Sequence, residues 1–552
     1  MTKDVSAQTD RFVHDRLPPV GQLPQLSFDR PELQFPERLN LVEELLDKAA
    51  QKGFADRPLL RSPRITLSYA DVRDRVDRIA RVLVEDFQLV PGNRVLLRGG
   101  NSIGMALAWL AVVKAGLIAV ATMPLLRAKE LGEVFDKAQP ALALCDFSLI
   151  GELQLVPALK TIIPFNQMNA PGSLAVLASQ KEGDFKACAT AASDIALLAF
   201  TSGTTGQPKA AIHSHRDVLA ACEAWPRHVL QAGPDDIVVG TPPLAFTFGL
   251  GGLLVFPMWA GASVYFHDAP YTPQVLAEVI HKVGASICYT APTMYRQLAP
   301  LLAGAQSSLR LCVSAGEGLP DATRTLWREA TGIELVDGIG ATEMFHIFIS
   351  SAGDQVRRGA VGKVVPGYSA KVVDDAGVEV PRGTVGKLAV VGPTGCKYMG
   401  DARQASYVKN GWNYPGDAFV QDADGYFFFV ARSDDMIITA GYNVGAPEVE
   451  DALLGHPDVA ECAVVGKPDP GRGMIVKAFV VLKPGVAGAA GNEADAAQNA
   501  ALVKRLQDHV KGAIAPFKYP REIEFVAALP RTETGKLQRF KLKPAGQPAS
   551  QP

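Results

Sequence analysis

The chain predicts an α/β protein: a large N-terminal domain of parallel sheets flanked by helices, with a small β-barrel-like subdomain, and a smaller α+β C-terminal domain. Three observations lead there. Its 552 residues are too many for one hydrophobic core. Strand-like and helix-like apolar patterns alternate through the first part of the chain. Around residue 360 short β-rich pieces with glycine turns take over, and after Arg432 a second α/β pattern begins.

The elements follow in order. Residues 39–52 are apolar at helical spacing. Residues 68–84 form an amphipathic helix: Ser68 can cap it, and Val72, Val76, Ile79, Ala80 and Leu83 recur at three and four. Residues 94–98 read as a strand, 101–115 as a mostly apolar helix and 117–121 as the next strand. Such alternation predicts parallel sheets covered by helices on both faces. An apolar run at 195–200 fits a buried strand, and strand patterns return at 237–239, 263–266, 286–289, 311–313 and 334–336. Residues 370–373, 386–391 and 426–430 suggest a small antiparallel barrel or sheet. The last part has a helix at 447–454, strands at 459–465 and 477–482, and a helix at 498–514. The boundary falls near Ser433–Asp434, giving domains of residues 1–432 and 433–545. The Gly/Ala/Asn-rich stretch 485–497 reads as an exposed loop, and the Pro/Gln tail, 546–552 at its end, as disordered.

At 48% hydrophobic and 20% charged, the composition is that of an ordinary soluble globular protein. A net charge of −2 argues against a nucleic-acid or anionic-membrane surface as the main partner. The seven cysteines are odd in number and none forms Cys-x-x-Cys, which suits free buried thiols in a reducing, cytoplasmic compartment rather than disulfides or a zinc site. The polar N-terminus has no apolar core of a signal peptide. Residues 237–266 carry no charged side chain, but Pro242, Pro243, Pro257 and several glycines break the run. It reads as buried interior rather than a membrane span.

The strand at 195–200 empties into Thr201, Ser202, Gly203, Thr204, Thr205 and Gly206, followed by Gln-Pro and Lys209. Glycines let backbone N–H groups turn toward an anion, hydroxyls donate to phosphate oxygens and lysine adds positive charge. Such a loop can hold a polyphosphate, though a plain Gly/Ser/Thr turn has the same composition. It is not a Walker loop, because Gly206 is followed by Gln-Pro-Lys rather than Lys-Ser/Thr.

The order of these residues resembles the phosphate-binding signature of the acyl-adenylate-forming superfamily, which includes acyl- and aryl-CoA ligases. Gly340-Ala-Thr342-Glu343 is similar to the family's second signature. The resemblance implies that Thr342 touches the α-phosphate and Glu343 binds Mg²⁺. Taken alone, the tetrapeptide is a helix-cap pattern. Ile339 stands where the family usually has an aromatic residue. The turn after strand 311–313, with Ala315, Gly316 and Glu317, lines adenine and acyl pockets in relatives; Asp337, beside Gly338, matches the position that meets the adenine amino group. Asp417 resembles the ribose-binding carboxylate, Arg432 the second ribose contact and Asp434 the hinge, with Ala431 in place of the usual glycine. Gly441 and Tyr442 match the loop around the pantetheine tunnel, and Lys536, in Thr-Gly-Lys, matches the lysine that bridges substrate carboxylate and ATP. Arg472 and Lys477 could meet CoA phosphates or make surface salt bridges.

The resemblance implies a cytoplasmic enzyme using ATP, Mg²⁺ and coenzyme A, monomeric or homodimeric. It joins AMP to a carboxylic acid and then passes the acyl group to the CoA thiol. Two anions must meet in the first step, a repulsion of several kcal/mol at an effective dielectric of about 20. Glu343-bound metal, the hydroxyl loop and Lys536 offset it, and no protein nucleophile is required. Lys536 and the Gly441–Tyr442 loop lie on the same small domain, so they could serve only in turn, and the resemblance supplies a rotation of that domain about Asp434. The acyl pocket is expected at Phe248, Gly249, Ala315, Gly316, Gly340 and His346. The segment after Glu343 makes the chain most like benzoate and 2-aminobenzoate-CoA ligases. The alternatives are a medium-chain fatty acyl-CoA ligase, a stand-alone enzyme loading a carrier protein, and a nucleotide-binding protein that has lost catalysis.

Overall fold

The computed structural model describes residues 6–167, 169–201, 208–316, 318–432, 436–439, 442–469, 472–486, 496–531 and 537–543. Within it, two largely parallel sheets form the body of the N-terminal part. The first has six strands, in the order Ile162–Phe165, Leu142–Asp146, Arg94–Arg98, Ile118–Thr122, Ile195–Thr201 and Lys209–Ser214. All neighbours run parallel except the last pair, where Thr201 lies opposite Lys209. Lys209 opens a strand that returns antiparallel to Ile195–Thr201. Composition hid that strand, because Lys-Ala-Ala-Ile-His-Ser is short and lacks alternation.

The second sheet has nine strands. Its parallel centre comprises Pro58–Arg61, Ser263–Tyr265, Ile237–Gly240, Ile287–Thr290, Leu311–Ser314 and Leu335–Gly340. Antiparallel strands close both edges: Thr66–Ser68 on one side, Ile347–Ser351 and Lys363–Val364 on the other. The parallel α/β architecture is as the alternation predicts. The antiparallel margins, like the strands at 142–146 and 162–165, were outside that prediction.

The helices follow from local chemistry. In Tyr69–Arg81 the Ser68 hydroxyl accepts from the Asp71 N–H at 3.1 Å, and the Asp71 carboxylate accepts from the Ser68 N–H at 2.9 Å, a reciprocal capping box. Ile103–Lys114 is apolar on all sides because it is buried on all sides. Its last residue, Lys114, keeps its charge inside by pairing with Asp47 at 2.6 Å and with Asp77. The helix expected over 39–52 is shorter: an α-helix at Leu41–Leu45, capped by Asn40, then one 3₁₀ turn at Asp47–Ala49. The uncharged run 237–266 is strand Ile237–Gly240, a mostly buried helical stretch reaching Ala260 and strand Ser263–Tyr265. Among the described residues no helix is long and apolar enough to cross a membrane. All seven cysteines are free; five are buried, while Cys188 and Cys462 are half-buried.

The β-rich piece is a fully antiparallel sheet of Ser369–Val373, Val385–Val391, Val408–Lys409, Trp412–Asn413, Asp417–Gln421 and Phe427–Arg432. The C-terminal part has its own sheet, with Tyr442–Val444, Ile437–Thr439, Gly473–Leu482 and Val459–Asp469 in sequence across it, and Glu522–Phe525 parallel to Gly473–Leu482. Helices Ala446–Leu454 and Ala496–Ala513 cover it through a separate core that includes Val449, Leu453, Leu502 and Leu506. The two parts touch where the Ala322 N–H donates to Asp451 Oδ1 at 3.0 Å and Arg296 donates to the Leu454 carbonyl at 3.3 Å. The expected junction at 433–434 and the tail 546–552 lie outside the described residues.

Candidate active site

In open parallel sheets, ligands bind beyond the carboxyl ends of the strands. At that edge of the nine-stranded sheet, register sets Thr290 beside Ser314 and Ser314 beside Asp337. The Thr241 and Thr290 hydroxyls meet at 2.6 Å. Gly316, just past its strand, has φ +95°, a left-handed backbone that favours glycine. Asp337 is buried, with Arg324 3.8 Å away. Burial pushes its carboxyl up to about 6, against the opposing pull of Arg324 and the Gly338 N–H.

Gly338 and Gly340 lie within strand Leu335–Gly340 rather than in a loop. A Cβ on Gly340 would stand 2.5 Å from the His346 carbonyl oxygen, so only glycine fits there. The strand runs into a single 3₁₀ turn, Thr342–Met344, and Phe345 then takes φ 70° and ψ −49°. For a bulky side chain this is strained backbone, costing about 1–3 kcal/mol. The kink leaves Glu343 half-exposed and His346 buried. No residue pattern announces it.

His346 sits in an aromatic box. Around a closed circuit, ring centroids are 5.2 Å apart for His346 and Trp225, 6.2 Å for Trp225 and Tyr289, 5.7 Å for Tyr289 and Phe248, and 5.5 Å for Phe248 and His346. Phe256 meets the imidazole edge-on at 4.5 Å. Among the described residues, both His346 nitrogens, the Tyr289 hydroxyl and the Trp225 Nε1 have no hydrogen-bond partner. Burial lowers His346 to about 3, so the ring is neutral at pH 7; the Phe248 backbone opposes this without reaching hydrogen-bond geometry. One wall is helical residues Thr247–Leu250 continued by a π-helical segment, Gly251–Val255. Here close backbone approach excludes side chains: a Cβ on Gly249 would lie 2.1 Å from the Pro243 carbonyl oxygen. Phe248 and Gly340 thus both lie against His346, with Gly249 next to Phe248 in the chain. Trp225, Tyr289 and Phe256 were missed, because only the fold brings them together.

Glu343 has a neighbour the sequence did not signal. The Tyr398 hydroxyl donates to Glu343 Oε1 at 2.5 Å. The Lys209 ammonium lies 3.5 Å from the same hydroxyl. His213 Nε2 donates to the Thr342 carbonyl at 2.7 Å, and burial lowers that imidazole to about 4. Among the described residues no group of three or more His, Cys, Asp or Glu could hold a metal ion. One carboxylate fits Mg²⁺, which is commonly held by one or two carboxylates together with substrate phosphates and waters.

Asp417 and Arg432 stand directly opposite each other in an antiparallel pair, and Asp417 is buried. Tyr442 begins the return strand of a hairpin and pairs with Thr439. Lys477 is held by Glu522 and Glu524, each at 2.8 Å, so the salt-bridge alternative is the one realised for it. Ser202, Gly203, Thr204, Thr205, Gly206, Glu317, Asp434, Gly441 and Lys536 lie outside the described residues, as do the side chains of Arg432 and Tyr442.

Residues 46–398 match the AMP-binding enzyme family, and 448–536 the AMP-binding enzyme C-terminal domain. The chain is 33% identical to the benzoate–CoA ligase of Thauera aromatica, covering 93% of this chain and 98% of that one. It is 31% identical to the mitochondrial acyl-coenzyme A synthetase ACSM3 of Homo sapiens, covering 93% and 90%. Among solved structures it resembles the anthranilate CoA ligase AuaEII in complex with anthranoyl-AMP, with a TM-score of 0.85, 34% identity, and coverage of 93% and 98%.

Proposed function

Since the chain belongs to the AMP-binding enzyme family, we propose that it is an ATP-dependent ligase that activates an aromatic carboxylic acid, of the benzoate or 2-aminobenzoate type, to its CoA thioester. It releases AMP and pyrophosphate. The observation that carries the substrate class is the aromatic box at His346, next in the chain to the half-exposed Glu343 turn. Flat rings on several sides, with unpaired buried polar atoms among them, suit a ring acid better than a flexible alkyl chain.

The acid's ring lies against Phe248 and His346, with Ala315, Gly316 and Gly340 forming the floor where backbone comes close. Its carboxylate faces the α-phosphate of ATP beside Thr342. Asp337 receives the adenine amino group, and Asp417 with Arg432 receives the ribose hydroxyls, an arrangement their register supports. The loop from Thr201 to Gly206 and Lys209 embraces the phosphates. Glu343 holds Mg²⁺, which when bound neutralises phosphate charge. Lys536 bridges the two anions during adenylation. It then gives way to the Gly441–Tyr442 loop, by rotation about Asp434, so that the CoA thiol can reach the acyl carbon. The free thiols support a reducing, cytoplasmic setting.

Pyrophosphate exchange across benzoate, 2-aminobenzoate, hydroxybenzoates and octanoate tests this reading. Exchange with the ring acids is expected. Exchange with octanoate alone would move the chain to the fatty-acyl group. Lys536→Ala should abolish exchange yet leave thioester formation from ready-made aryl-AMP largely intact.

A further inference from the structure

We propose that Tyr398 is a positioning residue for Glu343: its hydroxyl fixes one carboxylate oxygen so that the other is presented to the metal–nucleotide complex. The inference rests on the reading of Glu343 as the Mg²⁺ ligand.

Glu343 is half-exposed, and among the described residues no cation pairs with it directly. A glutamate in that state samples several rotamers, and a single-carboxylate metal site depends on which one is occupied. The Tyr398 hydroxyl, 2.5 Å from Oε1, selects one. The phenol can do so because it is itself immobile. Tyr398 is fully buried, and its ring meets Tyr407 edge-on at 5.7 Å. Its N–H donates to Gln404 Oε1 at 2.8 Å.

Its backbone is tied to strand Lys209–Ser214. The Ile212 N–H donates to the Lys397 carbonyl at 2.8 Å, and the Met399 N–H to the Ala210 carbonyl at 2.9 Å. Lys209, on that strand, places its ammonium 3.5 Å from the phenol oxygen and 5.1 Å from the ring centroid. A second tie comes from Thr394, whose hydroxyl donates to the Met344 carbonyl at 2.8 Å. Residues 394–399 thus strap the Glu343 turn to that strand. Tyr398 is the point where the strap reaches the carboxylate. Groups that orient a metal ligand without touching the metal typically govern about 10–100-fold in affinity or activity.

The test is Tyr398→Phe, which removes one oxygen and keeps the ring. Pyrophosphate exchange is measured against Mg²⁺ at saturating ATP and acid. Separately, Mn²⁺ binding to the enzyme with a non-hydrolysable ATP analogue is followed by electron paramagnetic resonance. The expected result is a rise of about 10–100-fold in the Mg²⁺ midpoint, weaker Mn²⁺ binding and recovery of turnover at high Mg²⁺. Replacing Tyr398 with 3-fluorotyrosine, which keeps the hydroxyl, should restore both midpoints. An unchanged Mg²⁺ midpoint and Mn²⁺ affinity in Tyr398→Phe, with only a lower melting temperature, would reduce the residue to a core tyrosine and overturn the inference. Glu343→Gln separates the two levels. If it leaves Mn²⁺ binding intact, the metal reading itself fails. If it abolishes binding while Tyr398→Phe does nothing, only the positioning role fails.

Discussion

Replacing His346 with leucine separates what the ring does for the fold from what it does for the substrate. The imidazole is 3% exposed, and neither nitrogen has a hydrogen-bond partner among the described residues. An unpaired buried polar group costs about 1–3 kcal/mol, and leucine carries none. Against that gain stand lost ring contacts with Phe256 at 4.5 Å, Trp225 at 5.2 Å and Phe248 at 5.5 Å. Each aromatic pair contributes about 0.5–1.5 kcal/mol. The two effects are comparable, so the unfolding free energy in urea should move by less than about 1.5 kcal/mol. Selectivity should move more. The neutral imidazole can hydrogen-bond an amino or hydroxyl substituent on the acid ring, which benzoate lacks. Losing a bond of about 1.4–2.8 kcal/mol lowers kcat/KM for 2-aminobenzoate about 10–100-fold relative to benzoate. The assays are urea unfolding and pyrophosphate exchange with both acids. A loss above about 3 kcal/mol with unchanged selectivity would mean the histidine is an ordinary core residue and refute the reasoning.

Asp337, raised to about 6 by burial, holds its proton more tightly folded than unfolded, so stability should fall as pH climbs from about 4 to 6, by about 3 kcal/mol at most. Asp337→Asn should flatten that slope in urea midpoints measured against pH; an unchanged slope contradicts the burial effect. Gly340→Ala drives a methyl against the His346 carbonyl at 2.5 Å, with no flexible neighbour to yield, so about 1–3 kcal/mol of stability and most exchange activity should be lost. Helix Asp321–Thr331 has no side-chain cap of its own at Pro320, and Asp451 accepts from Ala322 N–H instead. Asp451→Ala should cost about 0.5–2 kcal/mol there, read as faster hydrogen exchange at the Ala322 amide. Exchange equal to wild type would show the contact to be incidental.

Much of the fold was legible where local chemistry decides it. The Ser68 capping box, the mostly apolar helix at 103–114 and the run of parallel strands all follow from period and capping. Legibility ended where distant parts of the chain meet. Lys209–Ser214 is a strand because it pairs with Ile195–Thr201, not because its residues favour one. Asp417 opposite Arg432 is a matter of register, which single strands do not encode. The site shows the same division. Glu343 and His346 were named through the family resemblance of the segment that contains them, whereas Tyr398, 55 residues from Glu343, and the Trp225–Tyr289 wall enter only through tertiary packing. The left-handed Phe345 was invisible for a different reason: its backbone breaks the preference of its own residue type.

The most direct test of the activity is to mix enzyme with ATP, Mg²⁺ and 2-aminobenzoate or benzoate without CoA, quench, and look for aryl-AMP by mass spectrometry. The expected result is enzyme-bound aryl-AMP with release of pyrophosphate, converted to aryl-CoA and AMP when CoA is added. ADP as the nucleotide product, or AMP formed at the same rate without any acid, would contradict it.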